Sequence, residues 1–235
     1  MAGWRWDAAA VAERAATRAT AQRERRALVA IAAALALFAV LFGVVRTKRS
    51  ATADAALTLR LQRRREPWFD RLMRLVSWPG FPPQSRIIPP AIGALVLVLG
   101  HPIEAAFQML AWGTGGLSFT FKRIMRRPRP SADHHPQIRV AVARIGGSSF
   151  PSGHVLNYLG VYGFFGFLIQ TWVKPAALRR SLMALVVSML ALVGPSRVYL
   201  GHHWATDVSA SYLLGTSYLI GLIGVYRRVR GWLGS

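Results

Sequence analysis

The sequence predicts an all-α protein: a polytopic membrane helical bundle of six transmembrane helices, with an amphipathic interfacial helix in the first loop. Three observations predict this. Hydrophobic residues make up 53% of the 235-residue chain, against 17% charged. Uncharged apolar runs recur at lengths near the roughly 20 residues that cross a hydrocarbon core. Charge is gathered into short basic clusters between those runs and is nearly absent within them.

Residues 1–26 are polar and rich in Ala and Arg, a terminal arm ahead of a six-span domain over 27–235. Ala27–Val45 carries no charge and is the first span. It exceeds the 7–15 apolar residues of a cleavable leader, so a retained span is preferred despite the small residues Ala51-Thr-Ala53. The stretch 46–86 is strongly basic. Within it Phe69, Leu72, Met73 and Val76 recur at helical spacing, with Arg71 and Arg74 off the stripe. An amphipathic helix with that pattern lies on the bilayer surface or packs against the protein's own spans. Ile87–Gly100, Ile103–Phe121, Val155–Val173, Leu182–Leu200 and Ala205–Tyr226 complete the six. The second of the six is short, and Pro89-Pro90 disturbs its start. Gly160, Gly163 and Gly166 recur every third residue, a pattern of close helix packing.

The formal charge of +21 points to nucleic acid, anionic lipid or a phosphorylated substrate as partner. A chain lying mostly in the bilayer excludes nucleic acid and leaves membrane lipids and a lipid phosphate. With no cysteine, disulfides, thiolate metal sites and a Cys nucleophile are excluded.

Three polar clusters interrupt the apolar plan: Lys122-Arg-Ile-Met-Arg-Arg-Pro-Arg-Pro130, Phe150-Pro-Ser-Gly-His154, and Ser196-Arg-Val-Tyr-Leu-Gly-His-His-Trp-Ala-Thr-Asp207. Each span reverses direction, so the third-to-fourth and fifth-to-sixth connections share one membrane face, where the clusters can meet. Lys122 and Arg129, seven apart and on one helix face if the helix continues, join Arg197 as three cations. The helix start at Ser152-Gly153 adds free N–H groups and the positive end of a dipole. Guanidinium forks match phosphate oxygens, so the expected ligand is a phosphoryl group. Arg123, Arg126 and Arg127 read as an orienting positive flank.

Asp207 follows His203 by four residues, so on a helix it reaches one ring nitrogen and leaves the other as nucleophile. His154 is placed to protonate the leaving oxygen. Such a scheme needs no metal or other cofactor. Zinc at His203 and Asp207 is the rival reading, disfavoured by three neighbouring cations. His202 has no assigned role, and His101, His134 and His135 read as loop residues.

The spacings Lys122-x6-Arg129-Pro130, Pro151-Ser-Gly-His154 and Ser196-Arg197-x5-His203-x3-Asp207 resemble the three signatures of the type 2 phosphatidic acid phosphatase superfamily. That superfamily includes lipid phosphate phosphatases, bacterial acid phosphatases and vanadium haloperoxidases. The resemblance implies a helical bundle in which His203 attacks phosphorus, Asp207 orients it and His154 handles the leaving-group proton. Lys122, Arg129, Ser152, Gly153 and Arg197 would bind the phosphate oxygens, with Arg127 a possible substitute for Arg129.

Multiple apolar spans favour a multi-pass enzyme of the cell (inner) membrane acting on a lipid phosphate. A polyprenyl diphosphate such as undecaprenyl pyrophosphate is preferred, with phosphatidylglycerophosphate and phosphatidic acid as alternatives. A non-catalytic lipid-phosphate binder or transporter is the competing class, and the His–Asp pair with a second His argues against it. The resemblance places both termini in the cytoplasm and the site at the extracytoplasmic face. Charge opposes this orientation, since it leaves 18 of the 30 Lys and Arg residues outside.

Overall fold

The structure is a computed structural model describing residues 3–131, 135–141 and 146–234, with side chains from Ala10 onward. The described residues form ten α-helices, most of them joined by short turns, with one long connection between Met125 and Gly153. Helix α1 (Gly3–Arg46) is one unbroken rod of 44 residues, so the polar arm and the first span form a single element. Its polar part is exposed on every side, and Glu24 meets Arg228 of the last helix at 3.2 Å.

The first loop folds into α2 (Ala51–Gln62) and α3 (Pro67–Ser77), followed by a 3-10 turn at Trp78–Gly80. Pro67 at the first position of α3 is preset for a helix start. Of the two placements open to its apolar stripe, the structure shows the inward one. Met73 is buried with Tyr199 and Leu200, Phe69 sits edge-on to the Tyr199 ring at 4.9 Å, and Val76 packs on the central core. The exposed apolar side chains of this region are instead Trp68, Leu75 and Trp78. On the polar side Asp70 pairs with Arg139 at 2.9 Å, and that guanidinium holds the carboxyl below its ordinary pKa.

Helix α4 (Gln84–Val98) contains Pro89 and Pro90 and pairs with α5 (Pro102–Trp112) through a tight turn. His101 caps that turn and stacks on Trp172 at 4.3 Å. The third apolar run is broken at Gly113, beyond which α6 (Thr114–Met125) carries the chain to the first basic cluster. Helix α7 (Gly153–Asn157), a wide π turn at Tyr158–Tyr162 and α8 (Gly163–Trp172) follow one another without a gap. The buried Gln108 amide donates to the Val161 carbonyl inside the π turn at 3.0 Å, satisfying main chain that the wider turn loosens. At Gly160 a β-carbon would collide with the Ala111 carbonyl, and at Gly163 it would meet Leu219, so the glycine repeat does mark close packing.

Helices α9 (Ala176–Tyr199) and α10 (Ala205–Leu233) complete the bundle, with α10 packed along α1. Among the described residues three helices are long and apolar enough to cross a membrane: Ala10–Arg46, Ala176–Tyr199 and Ala205–Leu233. At 15 residues α4 is shorter, but the proline pair does not mark its start: the helix begins at Gln84 and carries Pro89 and Pro90 in its interior. Glu104 is buried beneath the opposite end of the bundle, accepting from Tyr226 at 2.7 Å and meeting Arg230 at 3.3 Å. That contact ties α5 to α10.

Candidate active site

All three polar clusters arrive at one end of the bundle. Lys122 stands in the last turn of α6, but the helix does not continue to Arg129. Arg126 takes a left-handed conformation (φ 48°) and turns the chain, so the loop after the turn, not the helix face, delivers Arg129. The Arg129 guanidinium is held by main-chain oxygens of His202 at 2.7 Å and Ser148 at 3.2 Å, and reaches Nε2 of His203 at 3.3 Å. Among the described residues its hydrogen bonds go to main-chain oxygens and the His203 ring and not to a carboxylate, so its charge is available to an anion.

Arg197 is fully buried in the last turn of α9. It donates to Ser77 Oγ at 3.2 Å, meets His202 Nδ1, and lies over the Phe81 ring at 4.8 Å. His202, with no role assigned from sequence, therefore fixes a phosphate-binding candidate. Lys122 Nζ and Ser118 Oγ stand where a β-carbon on Gly153 would be met, at 3.6 and 3.1 Å. His154 begins α7 with its ring edge-on to Phe81 at 4.8 Å, and a β-carbon on Gly80 would collide with it. The 3-10 turn thus supplies a wall for His154 that the spacing of the motifs did not reveal.

His203 lies in the turn between α9 and α10. Its Nδ1 is 2.7 Å from the Ser149 carbonyl and 3.7 Å from Asp207 Oδ2. A carbonyl only accepts, so Nδ1 carries the proton and Nε2 presents a lone pair toward Arg129. The orienting hydrogen bond comes from the main chain, while Asp207 supplies negative charge just beyond hydrogen-bonding reach. Burial, with Arg129, Arg197 and Lys122 nearby, pushes the His203 imidazole well below its ordinary pKa and keeps it neutral.

Asp207 is itself anchored. Its Oδ2 accepts from the Trp204 N–H at 2.8 Å, and its Oδ1 accepts from Arg127 at 2.5 Å. Arg127 also meets Asp54 of α2 at 2.6 Å, and Asp54 accepts from the Thr206 N–H at 2.9 Å and the Thr206 hydroxyl at 2.7 Å. Arg127 is therefore neither an orienting flank nor a substitute for Arg129. It is a buried tie between two carboxylates, and Asp54 is a member of the site that sequence spacing did not mark.

Ser152 Oγ, His154 Nε2 and Arg197 Nε are buried with no protein partner among the described residues. Buried polar atoms are nearly always paired, so these three call for a ligand. Of the remaining histidines, His135 lies edge-on to Trp204 at 5.8 Å, and His134 lies outside the described residues.

The chain is similar in sequence and fold to known proteins. Phosphatidylglycerophosphatase B of Bacillus subtilis is 28% identical over 182 residues, covering 76% of this chain and 85% of that protein. Lipid A 4'-phosphatase of Porphyromonas gingivalis is 30% identical over 126 residues, covering 49% of this chain and 47% of that one. The crystal structure of a transmembrane PAP2-type phosphatidylglycerolphosphate phosphatase from Bacillus subtilis superposes with a TM-score of 0.74 at 23% identity, over 85% of this chain and 96% of that one, a likeness of fold. The family model of the PAP2 superfamily matches residues 104–230, more than half of the chain and all three clusters. This chain belongs to the PAP2 superfamily and is a phosphoric ester hydrolase.

Proposed function

We propose that the protein removes phosphate from a membrane lipid through a phosphohistidine, with the residues assigned as follows. The observation that carries the reading is the set of buried, unpartnered polar atoms on Ser152, His154 and Arg197, residues of the same clusters that carry His203. The Nε2 lone pair attacks phosphorus as the bond to the lipid oxygen breaks; His154, which burial holds neutral, takes up a proton as the negative phosphate binds beside it and gives it to that oxygen. Lys122, Arg129, Arg197, Ser152 and the N–H groups at the start of α7 take up the charge on the three remaining oxygens. Water then attacks the same phosphorus, giving its proton to His154, and the P–N bond breaks. Asp207 stabilises the cationic phosphohistidine from the Nδ1 side.

Similarity to the B. subtilis phosphatidylglycerophosphatase supports phosphatidylglycerophosphate as the substrate. A polyprenyl diphosphate is the second reading, favoured by the three cations around one nucleophile. The reaction is tested by phosphate release from both lipids with purified protein in EDTA. Turnover without divalent metal is expected, with inhibition by vanadate, which imitates the five-coordinate transition state. Failure on every lipid phosphate would favour a binder instead. Because burial lowers the His203 pKa, protonation removes the nucleophile only below its ordinary value. The acidic limb of kcat/KM that belongs to His203 is thus expected below about pH 6.5.

The six-span plan has its site at the extracytoplasmic face. Arg65, exposed in the first loop, provides the test because the chain has no native thiol. In intact cells an impermeant maleimide should label Arg65→Cys, and protection until lysis would invert the topology.

A further inference from the structure

We propose that the cavity between the ends of α1 and α6 is a second anion site, separate from the reacting face of His203, which takes the phosphate of a membrane phospholipid headgroup. This goes beyond the hydrolytic reading and does not depend on it. The cavity has a volume of about 550 Å³. Its apolar floor is made by Val45, Ile124 and Met125, and its rim by Arg46, Lys48 and Arg126. The rim follows directly on the uncharged run that ends at Val45, so it stands where hydrocarbon gives way to headgroups. Three exposed cations above an apolar floor match a lipid phosphate and the first methylenes of its chains.

The inner wall belongs to the catalytic end of the bundle, and its donors are already directed elsewhere. Arg127 is committed to Asp54 and Asp207, the Trp204 indole N–H to the Pro128 carbonyl at 2.9 Å, and Arg129, assigned above to the reacting phosphate, reaches Nε2 of His203 at 3.3 Å. The rim cations are different. Among the described residues, Arg46, Lys48 and Arg126 have no side-chain hydrogen bond or ion pair. This wall is what separates an anion in the cavity from the Nε2 face of His203.

Backbone conformation supplies a second, independent observation. Lys48 (φ 59°) and Arg126 (φ 48°) are the two described non-glycine residues with positive φ, and both lie on this rim. Each turns the chain away after a helix, the position where glycine is favoured because a β-carbon is strained there. Compensation of the helix dipoles is served by Arg46 in the last turn of α1 and by Lys122 and Arg123 in that of α6. Long cations at two strained positions on one cavity point to a requirement for their charge there.

The strain also provides a clean test, because glycine at both positions relieves the backbone while removing the charge. The full-length protein in detergent is mixed with phosphatidylglycerol or phosphatidylcholine, and retained lipid is counted by native mass spectrometry. Phosphatidylglycerol carries no phosphomonoester for the hydrolytic site. Wild-type protein is expected to prefer it at least about tenfold. That preference should vanish in Lys48→Gly/Arg126→Gly, whose Tm should equal or exceed that of wild type. Arg46→Gln, which leaves both turns intact, should weaken the preference independently. Full preference in these variants would overturn the site. Inorganic phosphate raising the Tm of wild type as effectively as phosphatidylglycerol, with that rise lost in the glycine variant, would assign the cavity to free phosphate and overturn the lipid. Impaired hydrolysis of a short-chain lipid phosphate by the glycine variant would place the cavity in the substrate path and overturn its separateness.

Discussion

His203→Ala is expected to abolish turnover, by on the order of 10⁴-fold or more, because the covalent route is lost with the nucleophile. His154→Ala should cost less, roughly 10²–10⁴-fold, the range of general acid–base catalysis. The two can be separated by leaving group. An aryl phosphate departs without a proton, so the first step in His154→Ala should recover with it, whereas His203→Ala should remain inactive. Single-turnover phosphate release with alkyl and aryl esters is the measurement. Near wild-type release by His203→Ala would move the nucleophile elsewhere. Asp207 is not expected to substitute, because both its oxygens are engaged by Trp204 and Arg127.

The second large effect is on stability. Arg127→Ala leaves two carboxylates, Asp54 and Asp207, buried without their shared cation. Removing one partner of a buried ion pair costs about 3–5 kcal/mol, and here one guanidinium serves two acids. Thermal unfolding in detergent should show a large fall in Tm, and any folded fraction should turn over poorly because Asp207 has lost its anchor. Asp54→Asn is the informative companion. It keeps the side-chain shape and one oxygen to accept from the Thr206 N–H, but removes one negative charge and sets an amide NH2 against Arg127. A loss in kcat with little change in KM is expected, since that charge supports the cationic intermediate and touches no substrate. A wild-type kcat for Asp54→Asn would leave Asp54 a purely architectural residue.

The parts of this site legible in the sequence were those with fixed local spacing. His203 and Asp207 are four apart, Ser152, Gly153 and His154 are adjacent, and Lys122, Arg129 and Arg197 stand beside apolar runs where charge is conspicuous. The residues that escaped act across long separations. Ser149 reaches His203 with a main-chain carbonyl, a contact no side-chain pattern announces. Gly80 and Phe81 enclose His154 from a turn whose sequence reads as an ordinary Pro-Gly connection. Asp54 had the faintest signal, an acid in a strongly basic loop; such an acid has many possible cations and its choice depends on the fold. Helix bounds failed for a comparable reason. Periodicity showed the α3 stripe but could not say whether lipid or protein would cover it, and spacing alone extended α6 through a position where the backbone reverses.

One geometric consequence remains in α1. A straight helix of its length is about 66 Å long, roughly twice the apolar thickness of a bilayer. With Ala27–Val45 immersed, the segment before it stands off the membrane as a mast of about 35 Å, braced near its foot by Arg228. A paramagnetic tag at Ala10 would then sit in bulk water far from the lipid plane, while one at Leu28 would feel the acyl chains. The mast gives the enzyme a rigid handle on the side of the bilayer opposite its chemistry.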